Sequence, residues 1–299
     1  MTPNRDDIQK ASRRLEGRVV YSSVQAMVTD QSQTATLKLE STQRSGSFKA
    51  RGAMNAMLST RIGSEGVVAA SGGNHGAAVA WAARELGHTA NIFVPELISP
   101  SKLDKLEEYG ANIHLGGREY HEAFAAAQTF KQHHDCTELH AYDQNEVVAG
   151  AGTIAIEIDA QVPDATTIFV SCGGGGLAAG LAIWWGTSKR LVVVETEGTQ
   201  AWAKARKAGR PVDVEVTGIA ADSLGARRIG NIGWLALTSC EAESSIVTDE
   251  QVAAAQQELM DQHGVVAEPA AAASFAGFKS VALAQNEKCV LVICGANST

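Results

Sequence analysis

Short apolar runs rich in β-branched residues punctuate this chain at 66–70, 90–94, 167–172, 191–195 and 289–294. Runs of this length, apolar on both faces, suit strands in the interior of a parallel sheet. Between them lie alanine-rich stretches at 77–86, 177–185 and 251–263. Their apolar positions recur three and four apart, the spacing of a helix face. Strand–helix alternation predicts an α/β fold built on a mainly parallel, twisted sheet. Two segments repeat one theme: 66–86 and 167–185 each read strand, glycine turn, helix. No fixed-period repeat, low-complexity tract or proline-rich linker separates them. The polar stretch 131–144 is where the chain is expected to cross between domains.

Composition narrows the picture. A length of 299 residues suggests about two domains, and 45% hydrophobic with 19% charged residues suffices for a sizeable core. The net charge is −8 and the pI about 5.5. No long basic run accompanies it, so nucleic acid and anionic membranes are not expected partners. The first 17 residues hold no apolar signal core, and the longest apolar stretch, 177–185, is too short to span a bilayer. Five cysteines, Cys136, Cys172, Cys240, Cys289 and Cys294, form no CxxC pair and are odd in number. Reduced thiols in a cytoplasm fit that count. His133, His134, Cys136 and His140 cluster in sequence, but no second ligand pair stands at metal-binding spacing. A solvated polar connection is the expected reading, and no metal is predicted.

Four segments carry candidate chemistry. In Ser45-Gly-Ser-Phe-Lys-Ala-Arg-Gly52, Ser45 and Ser47 are good N-cap types, which predicts a helix with Lys49 in its first turn. Lys49, Gly52, Ala53 and Ala56 then share one face. A lysine among such small residues suggests an amine turned inward, with its pKa lowered by burial, by the helix N-terminus and by Arg51. A neutral amine suits Schiff-base chemistry; a lysine head reaching water is the ordinary alternative. Ser71-Gly-Gly-Asn-His-Gly76 follows a strand and opens a helix, a place for a carboxylate, with Asn74 and His75 adding side-chain donors. Its plain alternative is a glycine-rich turn capped by Asn74.

The third segment, Ser171-Cys-Gly-Gly-Gly-Gly-Leu-Ala-Ala-Gly180, again joins strand to helix. Its glycines can turn backbone N–H groups around a phosphate. Gly174, Gly176 and Ala179 also fit G-x-G-x-x-A, with Glu195 placed to hold a ribose, so an NAD-dependent oxidoreductase stands open here. The fourth, Cys294-Gly-Ala-Asn297, ends a strand-like run, where ligands of parallel sheets bind. A small buried cysteine is the plain alternative.

In this order the four segments, with Ala149-Gly-Ala-Gly-Thr-Ile-Ala-Ile-Glu157, resemble the serine/threonine dehydratase family of fold-type II pyridoxal-phosphate (PLP) enzymes. The resemblance covers nearly the whole chain. It implies a tryptophan synthase β-like fold: a large PLP-binding domain of residues 1–64 and 145–299, with a smaller domain, 65–144, inserted. It implies that Lys49 binds the cofactor covalently and moves protons at Cα, and that Phe48 packs beside the ring. Asn74 would bond the ring hydroxyl, and Ser71, Gly72, Asn74 and His75 the substrate carboxylate. Gly173, Gly174, Gly175, Gly176 and the Leu177 amide would bind the phosphate, with Cys294 at the pyridine nitrogen. The expected activity is an ammonia-lyase converting L-serine or L-threonine to a 2-oxo acid and ammonia, in a cytoplasmic homodimer.

Departures from the family pattern shift details. Racemase relatives carry serine at the position of Gly72, which argues here for elimination on one face. They bind a cation through two acidic groups; Glu195 matches one, and Ala201 stands at the other. Ser223, followed by Arg227 and Arg228, opens the side-chain pocket to another hydroxy-amino acid such as 3-hydroxyaspartate. No C-terminal regulatory domain follows Asn297, so end-product inhibition through one is not expected. A serine racemase-like enzyme and a non-catalytic PLP carrier remain the alternatives within this resemblance.

Overall fold

A computed structural model of the chain describes residues 2–28, 34–118 and 120–297. The elements in order are α1 (Arg5–Leu15), β1 (Val24–Val28), β2 (Thr34–Leu39), α2 (Lys49–Ser59), β3 (Val67–Ala70), α3 (Asn74–Leu86), β4 (Ala90–Val94), α4 (Pro100–Glu108), β5 (Asn112–Leu115), α5 (Tyr120–His133) and β6 (Thr137–Glu138). Then follow α6 (Asn145–Gln161), β7 (Thr167–Ser171), α7 (Gly176–Trp185), β8 (Arg190–Thr196), α8 (Ala201–Ala208), α9 (Asn231–Ser239), β9 (Glu243–Val247), α10 (Asp249–His263), α11 (Pro269–Ser280) and β10 (Cys289–Ile293).

Two sheets organise them. The larger runs β1-β2-β10-β7-β8-β9 and is parallel except for the β1–β2 pair; the smaller, β5-β4-β3-β6, is parallel throughout. The expected strands at 66–70, 90–94, 167–172, 191–195 and 289–294 are thus β3, β4, β7, β8 and β10. β3, β4, β7 and β10 are buried along their whole length, which is why they read as mainly apolar runs without alternation. The β1–β2 hairpin, with half-exposed and polar positions, gives no such signal. After β6 the chain leaves the small sheet and enters α6.

Helix α11 lies across β7, β8, β9 and β10 on one side of the larger sheet. On the other side α6 packs on α1, α2 and α7. These helices approach closely because glycine stands at the crossings: a Cβ at Gly150 would fall 2.5 Å from the Arg51 carbonyl oxygen, and one at Gly180 2.6 Å from the Gly152 nitrogen. Such contacts seat α2 directly on α6.

Charge completes that seat. Arg51 is 1% exposed, and its guanidinium grips Glu40 through Nε and Nη2 at 2.7 Å each and Glu157 at 2.7 and 2.9 Å. Lys38 Nζ donates to Glu157 at 2.5 Å, to the Ser22 carbonyl and to Gln161. Two cations and two carboxylates therefore lie in the interior with most of their hydrogen-bonding capacity filled. Burial alone would raise Glu40, but the charge and hydrogen bonds of Arg51, the charge of Lys38 and the Ser22 hydroxyl together outweigh it and hold the carboxyl below its usual range. Burial lowers Lys38, partly offset by Glu157. The sequence placed Arg51 where its charge would press on the Lys49 amine, and the structure corrects this. Two residues apart on a helix the side chains diverge by about 200°, and Arg51 faces the quartet instead.

Removing one member of such a cluster strands the others without partners in a dry interior. Arg51→Met should lower unfolding free energy by roughly 3–5 kcal/mol. Arg190→Met, which breaks the partly exposed pairs with Glu243 and Glu287, should cost about 1 kcal/mol or less. Urea unfolding of both variants measures the contrast, and equal losses would contradict this account of the quartet.

Candidate functional site

Ligands of parallel sheets collect beyond the carboxyl ends of the strands. Here those ends belong to two sheets, and the loops leaving β3, β6, β7 and β10 meet in one cleft. Lys49 enters it from the first turn of α2, whose start is pinned to the end of β10. Ser47 bridges Gly295, and the Phe48 amide donates to the Cys294 carbonyl at 2.9 Å. Ser45 and Ser47 do not cap this helix as expected. Phe48 occupies the N-cap position without a side-chain bond, and both serine hydroxyls are buried with no partner among the described residues. The bridge to β10 takes up the backbone that a capping serine would need.

The Lys49 amine donates to the Ala141 carbonyl at 2.5 Å, just beyond β6, and lies 5.2 Å from the centre of the Phe48 ring. Burial in the cleft lowers its pKa to about 8, against the opposing pull of Cys294 and Glu268. The amine is thus within reach of its neutral form near physiological pH.

Two glycine turns at helix N-termini flank this amine: its acceptor Ala141 adjoins Tyr142, which packs on Gly174 and Gly176, and its charge acts on His75. The first follows β7. Gly175, with φ of 89°, turns the chain into α7, and a Cβ at Gly174 would fall 2.3 Å from the Tyr142 ring. Among the described residues, the amides of Gly174, Gly176, Leu177 and Ala178 donate to no protein acceptor. Buried donors left open at a helix N-terminus are the construction of a phosphate site. The second cradle follows β3. The amides of Asn74, His75 and Gly76 open α3, which has Gly73 at its N-cap and no side-chain cap. Ser71 Oγ accepts from the Gly73 amide at 3.3 Å. The two strand–glycine–helix segments seen in the sequence are these two cradles.

Other expected residues take different places. His75, expected to offer the cleft a side-chain donor, is buried, and its Nε2 donates to the Leu139 carbonyl at 2.8 Å. Desolvation, aided by the charge of Lys49, lowers its pKa to about 3, so it stays neutral. Cys294 is buried, and burial pushes its thiol well above the usual range. Asp222 and Ser223 line the cleft with Gly72, Gly73 and Ala77. Asp222 pairs with Lys102 of α4, and Ser223 Oγ accepts from the Ala270 amide at 3.2 Å. Arg228 pairs with exposed Asp213, away from the cleft.

Sequence reasoning assigns Glu268, Asn297, Lys105 and Tyr142 no role, yet all four lie here. Glu268 accepts from Asn74 Nδ2 at 2.7 and 2.9 Å, and burial raises its pKa to about 7. A lone carboxylate in the apolar run Val265-Val-Ala-Glu268-Pro-Ala is the available signal. Glu195 cannot serve a ribose. It is fully buried, and its two oxygens accept from the Trp202 and Ala203 amides at 2.6 and 2.8 Å, holding the start of α8. The His/Cys cluster disperses as well: His134 bonds Glu65, while His140 accepts the amides of Tyr142 and Asp143. Among the described residues no group of three or more His, Cys, Asp or Glu is placed to hold a metal ion. Nor is any described helix long and apolar enough to cross a membrane.

Comparison with known proteins agrees with this geometry. A family model described as pyridoxal-phosphate dependent enzyme matches residues 25–295. The L-threonine ammonia-lyase of Thermotoga maritima is 34% identical over 98% of this chain and 75% of its own. Across the first curated relatives, this chain spans between about half and three quarters of their length. Maize serine racemase superimposes with a TM-score of 0.94 at 26% identity, covering all of this chain and 95% of the racemase. The processed form of threonine deaminase isoform 2 from Solanum lycopersicum does so with a TM-score of 0.90 at 25% identity, over 100% of this chain and 87% of the deaminase.

The pKa of Lys49 has a measurable consequence. An amine adds to an aldehyde only when neutral, so capture of pyridoxal phosphate by cofactor-free protein should rise with pH through about pH 8. The rate should level off above about pH 9, whereas an ordinary lysine would keep gaining to about pH 10.4. Stopped-flow absorbance across that range reads the midpoint.

Proposed function

This chain belongs to the pyridoxal-phosphate dependent enzyme family, and we propose that within it the protein is an ammonia-lyase converting L-serine or L-threonine to a 2-oxo acid and ammonia. The single observation carrying this reading is the pairing of a desolvated lysine with an open phosphate cradle in one cleft. A phosphate-bearing aldehyde needs both at once, and the Tyr142 ring leaves no room for a side chain at Gly174. The residues therefore fit the cofactor. Lys49 would hold it covalently beside Phe48. The glycines Gly173, Gly174, Gly175 and Gly176 and the amide of Leu177 would hold its phosphate. Asn74 would bond its ring hydroxyl, and Cys294 would face its ring nitrogen.

When bound, the cofactor withdraws electrons from Cα of the attached amino acid, which loosens the Cα proton and favours departure of the β-hydroxyl. The protein supplies the rest. Lys49, as a free amine of lowered pKa, would be placed to take the Cα proton. The α3 amides and Asn74 orient the substrate carboxylate at the helix N-terminus, with Ser71 and Gly72 forming the turn. A thiol held neutral, as Cys294 is, donates only weakly and would leave the ring nitrogen of a bound cofactor largely uncharged.

Gly72 favours elimination over racemisation, because it offers no proton donor to the second face of Cα. A Cβ there would also fall 2.7 Å from Ile98 Cδ1. The smaller unit, 65–144, is read as the mobile domain that closes over substrate. A cytoplasmic homodimer belongs to the same reading, and the five free cysteines fit a reducing compartment. A panel of L-serine, L-threonine and 3-hydroxyaspartate, assayed for 2-oxo acid and ammonia, tests the activity. Turnover of the first two is expected, and Lys49→Ala should lower it by roughly 10²–10⁴-fold or more. Formation of D-serine without oxo acid would overturn the proposal in favour of a racemase.

A further inference from the structure

Between α4 and the end of α11's leading loop, four side chains make a continuous line across the cleft. Lys105 Nζ donates to Asn297 Oδ1. Asn297 Nδ2 donates to Asn74 Oδ1 at 2.6 Å and to the Ser45 carbonyl at 2.9 Å. Asn74 Nδ2 donates to Glu268 at 2.7 Å. The direction of this line follows from chemistry. An ammonium can only donate and a backbone carbonyl can only accept, so Lys105 and Ser45 together turn the oxygen of Asn297 to Lys105 and its NH₂ to Ser45 and Asn74. Asn74 must then turn its oxygen to Asn297 and its NH₂ to Glu268.

Two glycines leave the space it runs through. A Cβ at Gly46, where φ is 77°, would fall 2.2 Å from Asn297 Oδ1 and 3.1 Å from Lys105 Nζ. A Cβ at Gly295 would fall 2.4 Å from Glu268 Oε1. Lys105 is half-buried, and desolvation lowers its pKa. Among the described residues its ammonium contacts a neutral amide and no carboxylate. That is a costly placement for a charge that only ties two segments together. The Glu268 end cannot set the direction by itself, since a carboxyl that protonates near neutrality can donate as well as accept.

We infer that Lys105 is a positioning residue: acting through Asn297, it fixes the amide of Asn74 with its NH₂ turned into the cleft. Asn74 thereby keeps its NH₂ on Glu268 at the wall of the cleft, so that an anionic oxygen of cofactor or substrate meets this NH₂ edge rather than a repelling carbonyl. The inference rests on the reading of this cleft as the cofactor and substrate site. It assigns functions to Lys105 and Asn297, which lie outside the two anion cradles.

Lys105→Met, Lys105→Arg and Asn297→Asp test it. In cofactor-free protein, the side-chain amide resonances of Asn74 and Asn297 should shift in Lys105→Met and return in Lys105→Arg. In loaded enzyme, Lys105→Met should displace the visible cofactor band. It should also raise KM for the amino acid roughly tenfold, the weight of one misdirected hydrogen bond, with kcat changed less than about twofold. Asn297→Asp keeps an ion pair with Lys105 but faces Asn74 with an acceptor. It should reproduce the band and KM changes while its melting temperature stays near wild type. A purely structural tie predicts the reverse: a lower melting temperature in Lys105→Met, with the Asn74 resonances, the band and KM all unmoved. That result overturns the inference. Failure of the cofactor reading shows separately, as absence of any visible band in the wild-type protein, and leaves the amide resonances to decide.

Discussion

The grip of Arg51 on Glu40 and Glu157 governs the placement of everything else in the cleft. Arg51 and Lys49 sit two residues apart on α2, so they point away from one another. Whatever holds the guanidinium on the inner side turns the amine to the outer one. Glu40 follows β2, Glu157 lies on α6 and Lys38 on β2. The quartet thereby ties the helix that carries Lys49 to the sheet and to the helix beneath it. A dry interior makes such charges costly unless each is paired. That cost resists rotation or sliding of α2, either of which would break several charged hydrogen bonds at once. Lys49 can then be desolvated on the other face without the helix turning it to water.

The cleft's chemistry comes from one local device used twice. A buried parallel strand ends in glycines and feeds a helix, so amide donors are left open at the helix N-terminus. After β7 the cradle sits where the loop is crowded by Tyr142 and Leu224, suited to a phosphate held permanently. After β3 it sits on the smaller sheet, suited to a carboxylate that comes and goes. The contacts of Lys49 with Ala141, Lys102 with Asp222, and Asn74 with Glu268 span the gap between the two sheets. These contacts join the wall of the second turn to that of the first.

Much of this was legible in the sequence, because it rests on local rules. Buried strands announce themselves as short apolar runs, glycine clusters mark the cradles, and small residues around Lys49 mark a tightly packed helix. The rest depends on partners far apart in the chain. Lys38 and Glu40 draw no reading from the sequence, and Glu157 enters only as the end of a matched segment, since nothing local reveals that Arg51 meets them inside. Ser45 and Ser47 look like caps, but a bridge to Gly295 claims the backbone there. Glu195 fits a ribose by spacing, yet the amides of α8 take both its oxygens. Asn297 stands in a recognised segment without a role, because its three partners come from 45, 74 and 105.

The whole account turns on one amine. Reducing the purified protein with borohydride, digesting it and weighing the peptides asks where the cofactor is attached. The predicted result is the mass of a reduced pyridoxyl phosphate group on the peptide containing Lys49 alone. An unmodified Lys49 peptide, or the same increment on Lys38, Lys102 or Lys105, would contradict it.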